Sequence, residues 1–218
     1  MSRWTLAAVA ASMLLSCTYV GRYDSKNFVS FEAAKDKQME GKALVLTTIE
    51  DDAYEYTGRP VGFVGSANTL KLPLGVIVRE AARNIFGLAF RDGADASTDP
   101  QHSIAYRVVV TPHIQAFSYE YSLSSVITQS GHSSLSVHIT LLNTEGAVIF
   151  EKTYDSGPVE VGSEDQGPQA IAHSAHIAAQ YVMLLAAADM KDRLAKDAAA
   201  LEPSGQADPG RSTTATVR

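Results

Sequence analysis

Several groups of residues in this 218-residue chain have types and spacings that could do chemistry. His173 and His176 stand three apart on an alanine-rich stretch, with Gln180 on the same stripe, and two such imidazoles could begin a zinc set. A structural zinc site takes four ligands, and no cysteine or carboxylate completes the set at recognisable spacing, so a polar helix edge is expected and no metal. Ser130-Gly131-His132-Ser133-Ser134 places hydroxyls beside an imidazole, but the G-x-S-x-G turn of the common serine hydrolases is missing, and the stretch reads as a hairpin tip. Gly58, Gly62, Gly65 and Gly75 precede a helical pattern as phosphate loops do, yet neither G-K-[ST] nor G-x-G-x-x-G follows. Asp51, Asp52, Asp92, Asp95 and Asp99 do not supply the alternating oxygens and closing Glu of a calcium loop. Tyr54, Tyr56 and Phe63 lie on the Gly-rich stretch, where loops present side chains to solvent, and form the candidate partner or ligand surface. The expectation is a non-enzymatic protein with no catalytic residue, no metal and no cofactor.

The remaining reactive group is the thiol of Cys17, the only cysteine. It follows MSRWTLAAVAASMLLS, in which Arg3 gives a positive start and Leu6 to Leu15 an apolar core too short to span a bilayer. Leu14-Leu15-Ser16-Cys17 resembles the bacterial lipobox: a branched apolar residue, a tolerant position, a small residue, then cysteine. The resemblance implies cleavage before Cys17, transfer of diacylglycerol to its sulfur and a mature anchor of three acyl chains. One chain holds a protein only marginally, whereas more than one holds it stably. An exported protein gains nothing from a single unpaired thiol, which strengthens the lipidation reading. The residue after the cysteine is Thr18 and not Asp, which by the same resemblance implies the outer membrane, facing the periplasm.

The elements that must position these groups follow from periodicity. Residues 1–16 are read as the lipoprotein signal peptide, 17–41 as a lipidated tether with one helical turn at most, 42–201 as an α+β domain, and 202–218 as a disordered tail. Lys42 to Ile49 is a first strand, ended by Glu50-Asp51-Asp52. Tyr54 to Gly75 is a loop or irregular hairpin, with a short extended piece at Asn68 to Leu72. Leu74 to Phe90 is an amphipathic helix with Leu74, Ile77, Val78, Ala81, Ala82, Ile85, Phe86 and Ala89 on one face. Arg91 to His102 reads as a polar loop. Ile104 to Ala116 is a strand whose even positions, Tyr106 included, look inward. From Phe117 the odd positions Phe117, Tyr119 and Tyr121 take over, and a change of parity requires a bulge, expected between Gln115 and Ser118. Pro112 marks an edge or an irregularity there. Ser133 to Leu142 alternates cleanly, Asn143 to Gly146 is a turn, Ala147 to Tyr154 is the last strand, and Asp155 to Pro168 is a loop. Gln169 to about Leu201 is a long alanine-rich helix.

The order strand, helix, three antiparallel strands, helix is satisfied by a two-layer α+β sandwich. It has about four strands, mostly antiparallel, with two helices on one face (β-α-β-β-β-α). A crossover through the first helix places the second strand parallel to the first. The formal net charge of −6 excludes a protein that lives by neutralising phosphates, so no nucleic acid is expected. No run is read as a spanning helix.

The helix LPLGVIVREAARNIFG, the strand IAYRVVVTPHIQAFSYEY, the hairpin HSSLSVHITLLNTEGAVIFEKTY and the last helix, with the lipobox, resemble in order and pattern the YajG-type lipoproteins and the auxiliary lipoproteins of ABC-type lipid transport. The resemblance covers residues 42–198. It implies a lipid-anchored periplasmic accessory protein that binds a partner of a cell-envelope assembly or transport system. The alternatives are a domain that holds a small apolar ligand or lipid between helices and sheet, and an envelope hydrolase.

Overall fold

The computed structural model describes residues 18–27, 39–62, 65–100, 106–123, 129–143, 145–161 and 167–201. Cys17, Phe63, the leader and the tail 202–218 lie outside the described residues. Nine strands and three α-helices are formed among those described: β1 (Thr18–Val20), β2 (Ala43–Leu46), α1 (Ile49–Asp52), β3 (Tyr56–Gly58), β4 (Thr69–Leu72), α2 (Leu74–Ala89), β5 (Ala94–Ser97), β6 (Val108–Leu123), β7 (Gln129–Leu142), β8 (Val148–Asp155), β9 (Val159–Val161) and α3 (Pro168–Leu201).

The α+β class stands, but the architecture is larger than a single four-stranded sheet with two helices. The main sheet runs β5-β2-β6-β7-β8, with β9 also on β7, and a second sheet runs β1-β4-β3. β2 pairs in parallel with β6, Ala43 opposite Val108, as the crossover through α2 requires. The strands missed by pattern are short. β5 is Ala-Asp-Ala-Ser, a sequence of low strand propensity that pairs through its backbone with β2. β9 continues the edge begun by β8: both pair with β7, β8 along residues 136–142 and β9 along 131–133.

β6 carries the expected defect. Its register with β7 shifts between Ile114 and Ala116, so Gln115 is the extra residue. Beyond it Tyr119 and Tyr121 are buried on the odd parity. Pro112 lies past the reach of β2, which pairs only as far as Val110. Tyr106 departs from the inward set and instead donates its hydroxyl to Asp95 on the edge strand at 2.7 Å. Ser130-Gly131-His132 is no hairpin tip. It lies within β7, opposite Ser122, Tyr121 and Glu120. Gly131 is used there for closeness: a Cβ on it would stand 2.7 Å from Cδ1 of Ile171 and 3.1 Å from Cβ of Ala170. The second turn forms as read, with Asn143 Oδ1 accepting from the amides of Glu145 and Ala147 and Gly146 at φ 80°.

α2 buries Leu74, Ile77, Val78, Ala81, Ala82, Ile85 and Phe86, and each large apolar side chain among them contributes about 2 kcal/mol of burial. It packs on β2, β5 and β6, while α3 covers β7, β8 and β9, and the two helices touch each other on one face of the sheet. The core between them joins Val45, Val108, Val110, Leu135, Val137, Ile139 and Leu141 to the helix faces. Leu44 and Val109, opposite each other on the alternate parity, are also buried. The segment Pro168–Ala195 of α3 is long and apolar enough to cross a membrane by length and composition, contrary to the sequence reading, but most of it is buried inside this fold. Its small residues let the helix approach the sheet closely: Ala172, Ala175, Ala178 and Ala179 are fully covered.

Candidate functional site

The segment that follows Cys17 is built into the fold. Thr18, Tyr19 and Val20 pair in parallel with Thr69, Leu70 and Lys71 of β4. The amide of Gly21 then donates to the carbonyl of Lys71 at 2.8 Å. Gly21 is buried, and a Cβ there would meet Leu72 Cδ1 at 2.8 Å and Ala172 Cβ at 3.3 Å. Two residues later Tyr23 stacks on His176 of α3, ring centroids 5.1 Å apart. Residues 18–27, expected within a tether, thus hold a strand and a 3₁₀ turn (Ser25–Asn27) docked on the domain. Tyr19 and Val20 keep 40% and 56% of their surface exposed.

Tyr19 shares one end of the molecule with the loop after β3 and the far part of β6. Tyr121 has its hydroxyl pKa pushed up to about 12, by burial first and then by the nearby Tyr19. Gly65 lies against the Tyr121 ring, and the amide of Val61 donates to the carbonyl of Tyr119 at 2.9 Å. Val61 is 76% exposed. Beneath this surface runs an aromatic cluster. Tyr56 meets Phe117 edge to face at 4.8 Å, and Tyr119 meets Tyr121 in the same way at 5.7 Å. Burial pushes the Tyr119 hydroxyl well above its ordinary range, and that hydroxyl donates to the carbonyl of Gly58.

Of the three aromatic residues expected at a partner surface, the structure exposes Tyr54, 43% open beside α1, where Ile49 is also exposed. Tyr56 is half-buried because its ring closes the aromatic cluster against Phe117. Phe63 lies outside the described residues.

His176 is buried, its Nδ1 donating to the carbonyl of Ala172 at 2.6 Å, and burial holds its pKa below the ordinary value. Among the described residues no group of three or more His, Cys, Asp or Glu is placed to hold a metal. His132 and Ser133 are neighbours on a strand, so their side chains leave opposite faces and make no nucleophile–base pair. His132 instead lies 3.8 Å from Glu160, and the buried hydroxyls of Ser130 and Ser133 have no hydrogen-bond partner among the described residues.

Three of the acids read as loop residues, Asp51, Asp52 and Asp95, have side-chain partners. Asp51 and Asp52 lie in α1, capped by Thr48, with Asp51 2.8 Å from His113 and Asp52 paired with Arg79. Two arrangements of the same kind escaped sequence reading because their members are far apart along the chain. Asp95 takes Lys42 at 2.6 Å and the Tyr106 hydroxyl at 2.7 Å, and Lys42 first and Tyr106 second hold its carboxyl below the ordinary range. Asp189 takes Lys152 at 2.6 Å and the Tyr154 hydroxyl at 3.0 Å, with the same effect on its carboxyl. One cluster fastens an edge strand and the other fastens α3 to β8.

Between α2 and α3 a cleft lined by Tyr23, Ile77, Glu80, His176 and Gln180 measures about 10 Å³, the size of one water. An open polar trough of about 490 Å³ lies between α2 and β5, but its charges are mutually paired, Arg79 with Asp52 and Glu80, and Arg83 with Glu80.

No family model matches the chain, and no curated protein matches it. Among solved structures it is similar to protein XCC0632 from Xanthomonas campestris, of the family DUF330, with TM-score 0.50 and 11% identity over 84% of this chain and 99% of that one. A minor lipoprotein from Acinetobacter baumannii aligns with TM-score 0.31 and 10% identity over 74% of this chain and 96% of its own. The dodecamer of a leucine-to-methionine variant of PelC from Paraburkholderia phytofirmans aligns with TM-score 0.33 and 13% identity over 67% of this chain and 87% of its own. At these identities a shared fold is what the first likeness establishes: the chain has the α+β fold of the Xanthomonas protein.

Proposed function

We propose that this chain is a lipid-anchored accessory protein of the cell envelope, held by acyl chains on Cys17 at the periplasmic side of the outer membrane. It acts by binding a protein partner of an envelope assembly or transport system and carries out no covalent chemistry of its own. The observation that carries this reading is the position of Cys17, the chain's only cysteine, which closes a lipobox-like leader immediately before the first strand. The exposed Ile49, which opens α1, and Tyr54, just beyond its end, are apolar surface that a partner would cover.

Fractionation of cells making the Cys17→Ala protein tests the anchor. The wild-type chain is expected in the membrane pellet after a carbonate wash and the variant in the soluble or unprocessed fraction. A variant that stays with the membrane as firmly as wild type contradicts the anchor. A photo-crosslinking residue at position 54 tests the partner surface: one discrete envelope-protein adduct is expected, and none contradicts it.

A further inference from the structure

We infer that the domain is seated directly on the bilayer through the end that carries Tyr19, and does not hang from a tether. The inference rests on the proposed acylation of Cys17. It commits to one occupant of this surface, the phospholipid headgroup layer that receives the acyl chains.

The chain length dictates it. Thr18 is already paired with Thr69, so one peptide unit, about 3.8 Å between Cα atoms, separates the acylated residue from the sheet. Gly21 cannot give way, being fixed by its bond to Lys71 and closed in by Leu72 and Ala172. Extended chain covers at most about 3.5 Å per residue, which places Tyr19 within about 7 Å of the Cys17 Cα. The headgroup layer of one leaflet is itself about 5–8 Å thick. Tyr19 is therefore held in that layer or at its outer boundary whenever the acyl chains are in the hydrocarbon. Its chemistry suits it. Tyrosine favours the membrane–water boundary, where its ring is shielded and its hydroxyl wet, and Tyr19 is 40% exposed.

The opposite end of the sheet supplies an internal control. Val148 is 57% exposed and pairs with Leu142, which faces Val109. Tyr121, beside Tyr19, is twelve residues further along β6, at most about 40 Å away at the rise of a strand.

The only tryptophan, Trp4, precedes Cys17, so the processed chain has none and a single indole probe can be placed at will. The test uses the acylated full-length protein in vesicles of phosphatidylethanolamine and phosphatidylglycerol, its acyl mass verified first, with Tyr19→Trp and Val148→Trp compared. The expected result for Tyr19→Trp is blue-shifted indole emission, quenched by lipids brominated near the headgroup. Val148→Trp is expected to emit as an indole in water. A Gly/Ser linker of roughly ten residues between Cys17 and Thr18, spanning about 17 Å, is expected to return the indole at position 19 to water while the protein still floats with the vesicles. Water-like emission from Tyr19→Trp in a protein that is acylated and floats overturns the seating alone, as does equal quenching of Val148→Trp. A chain found unacylated overturns the proposed function as well.

Discussion

Gly131 of β7 and Ile171 of α3 meet so closely that a Cβ added to the glycine would stand 2.7 Å from the isoleucine Cδ1. The backbone of Ala170 lies 3.2 Å from the same point, so the helix cannot retreat locally. Gly131→Ala is therefore expected to cost about 1–3 kcal/mol despite the better strand propensity of alanine. That is a fall in Tm of roughly 3 °C per kcal/mol for a chain of this size. Removing the offending methyl with Ile171→Val in the same chain should recover part of the loss. A double variant no more stable than Gly131→Ala would place the clash elsewhere.

Gly75, at the second position of α2, carries a harsher constraint. A Cβ there would lie 2.0 Å from the carbonyl oxygen of Asp51 and 2.6 Å from that of Asp52. Both atoms belong to the backbone of α1, so Gly75→Ala must push that helix away, at about 3 kcal/mol or more. Nuclear magnetic resonance shifts of His113 and Arg79, the partners of Asp51 and Asp52, are expected to move with it. Unchanged stability and unmoved shifts would rule the contact out.

Ser156 stands where β8 gives way to β9 and replaces a lost ladder pair. Its amide donates to the carbonyl of Leu135 at 2.9 Å and its Oγ accepts from the Leu135 amide at 3.0 Å. Ser156→Ala leaves that amide without its acceptor, a loss of about 1–2 kcal/mol. Hydrogen exchange at the Leu135 amide should accelerate beyond the change in global stability, and Ser156→Thr should restore protection. Identical protection in Ser156→Ala would assign the acceptor role to another group.

His176 makes stability depend on pH with a definite sign. Burial depresses its folded-state pKa below the ordinary 6.5, so the unfolded chain binds more protons than the folded one below that value. The stabilisation is complete above 6.5 and is lost as pH falls toward the depressed folded value. The charged and titratable groups around it are Tyr23 and Asp24 from the N-terminal segment, Glu80 from α2 and His173 from its own helix. Urea midpoints at about pH 7.5 and about pH 5.5 should differ less in His176→Phe, which keeps a flat ring against Tyr23, than in wild type. An equal difference would locate the titration in other residues.

The sequence discloses elements wherever burial imposes a period. The face of α2 from Leu74 to Phe86 could be read residue by residue, and the change of parity on β6 located the bulge that falls at Gln115. The turn at Asn143 to Gly146 follows from its own side-chain hydrogen bonds. What stayed hidden is held by backbone pairing or by contacts distant in sequence. Ala94–Ser97 and Val159–Val161 are strands because a neighbour offers them an edge, and nothing apolar in β5 announces it. Ser130-Gly131-His132 has the composition of a turn but lies in a strand, since the glycine is needed under α3. The segment after Cys17 is polar enough to pass for a tether, and only its pairing with β4 shows that Tyr19 is fixed at one end of the domain. Of the expected surface residues, Tyr54 is exposed, and Tyr56 is turned into the aromatic cluster by Phe117, a residue far beyond it along the chain.

The claim on which the rest depends is that Cys17 is the first residue of the working protein and carries lipid. Intact mass spectrometry of the protein extracted from the membranes of cells that make it natively tests this most directly. The expected mass is that of the chain beginning at Cys17 plus diacylglycerol and an amide-linked acyl group. A chain that keeps residues 1–16 with an unmodified Cys17 sulfur contradicts it.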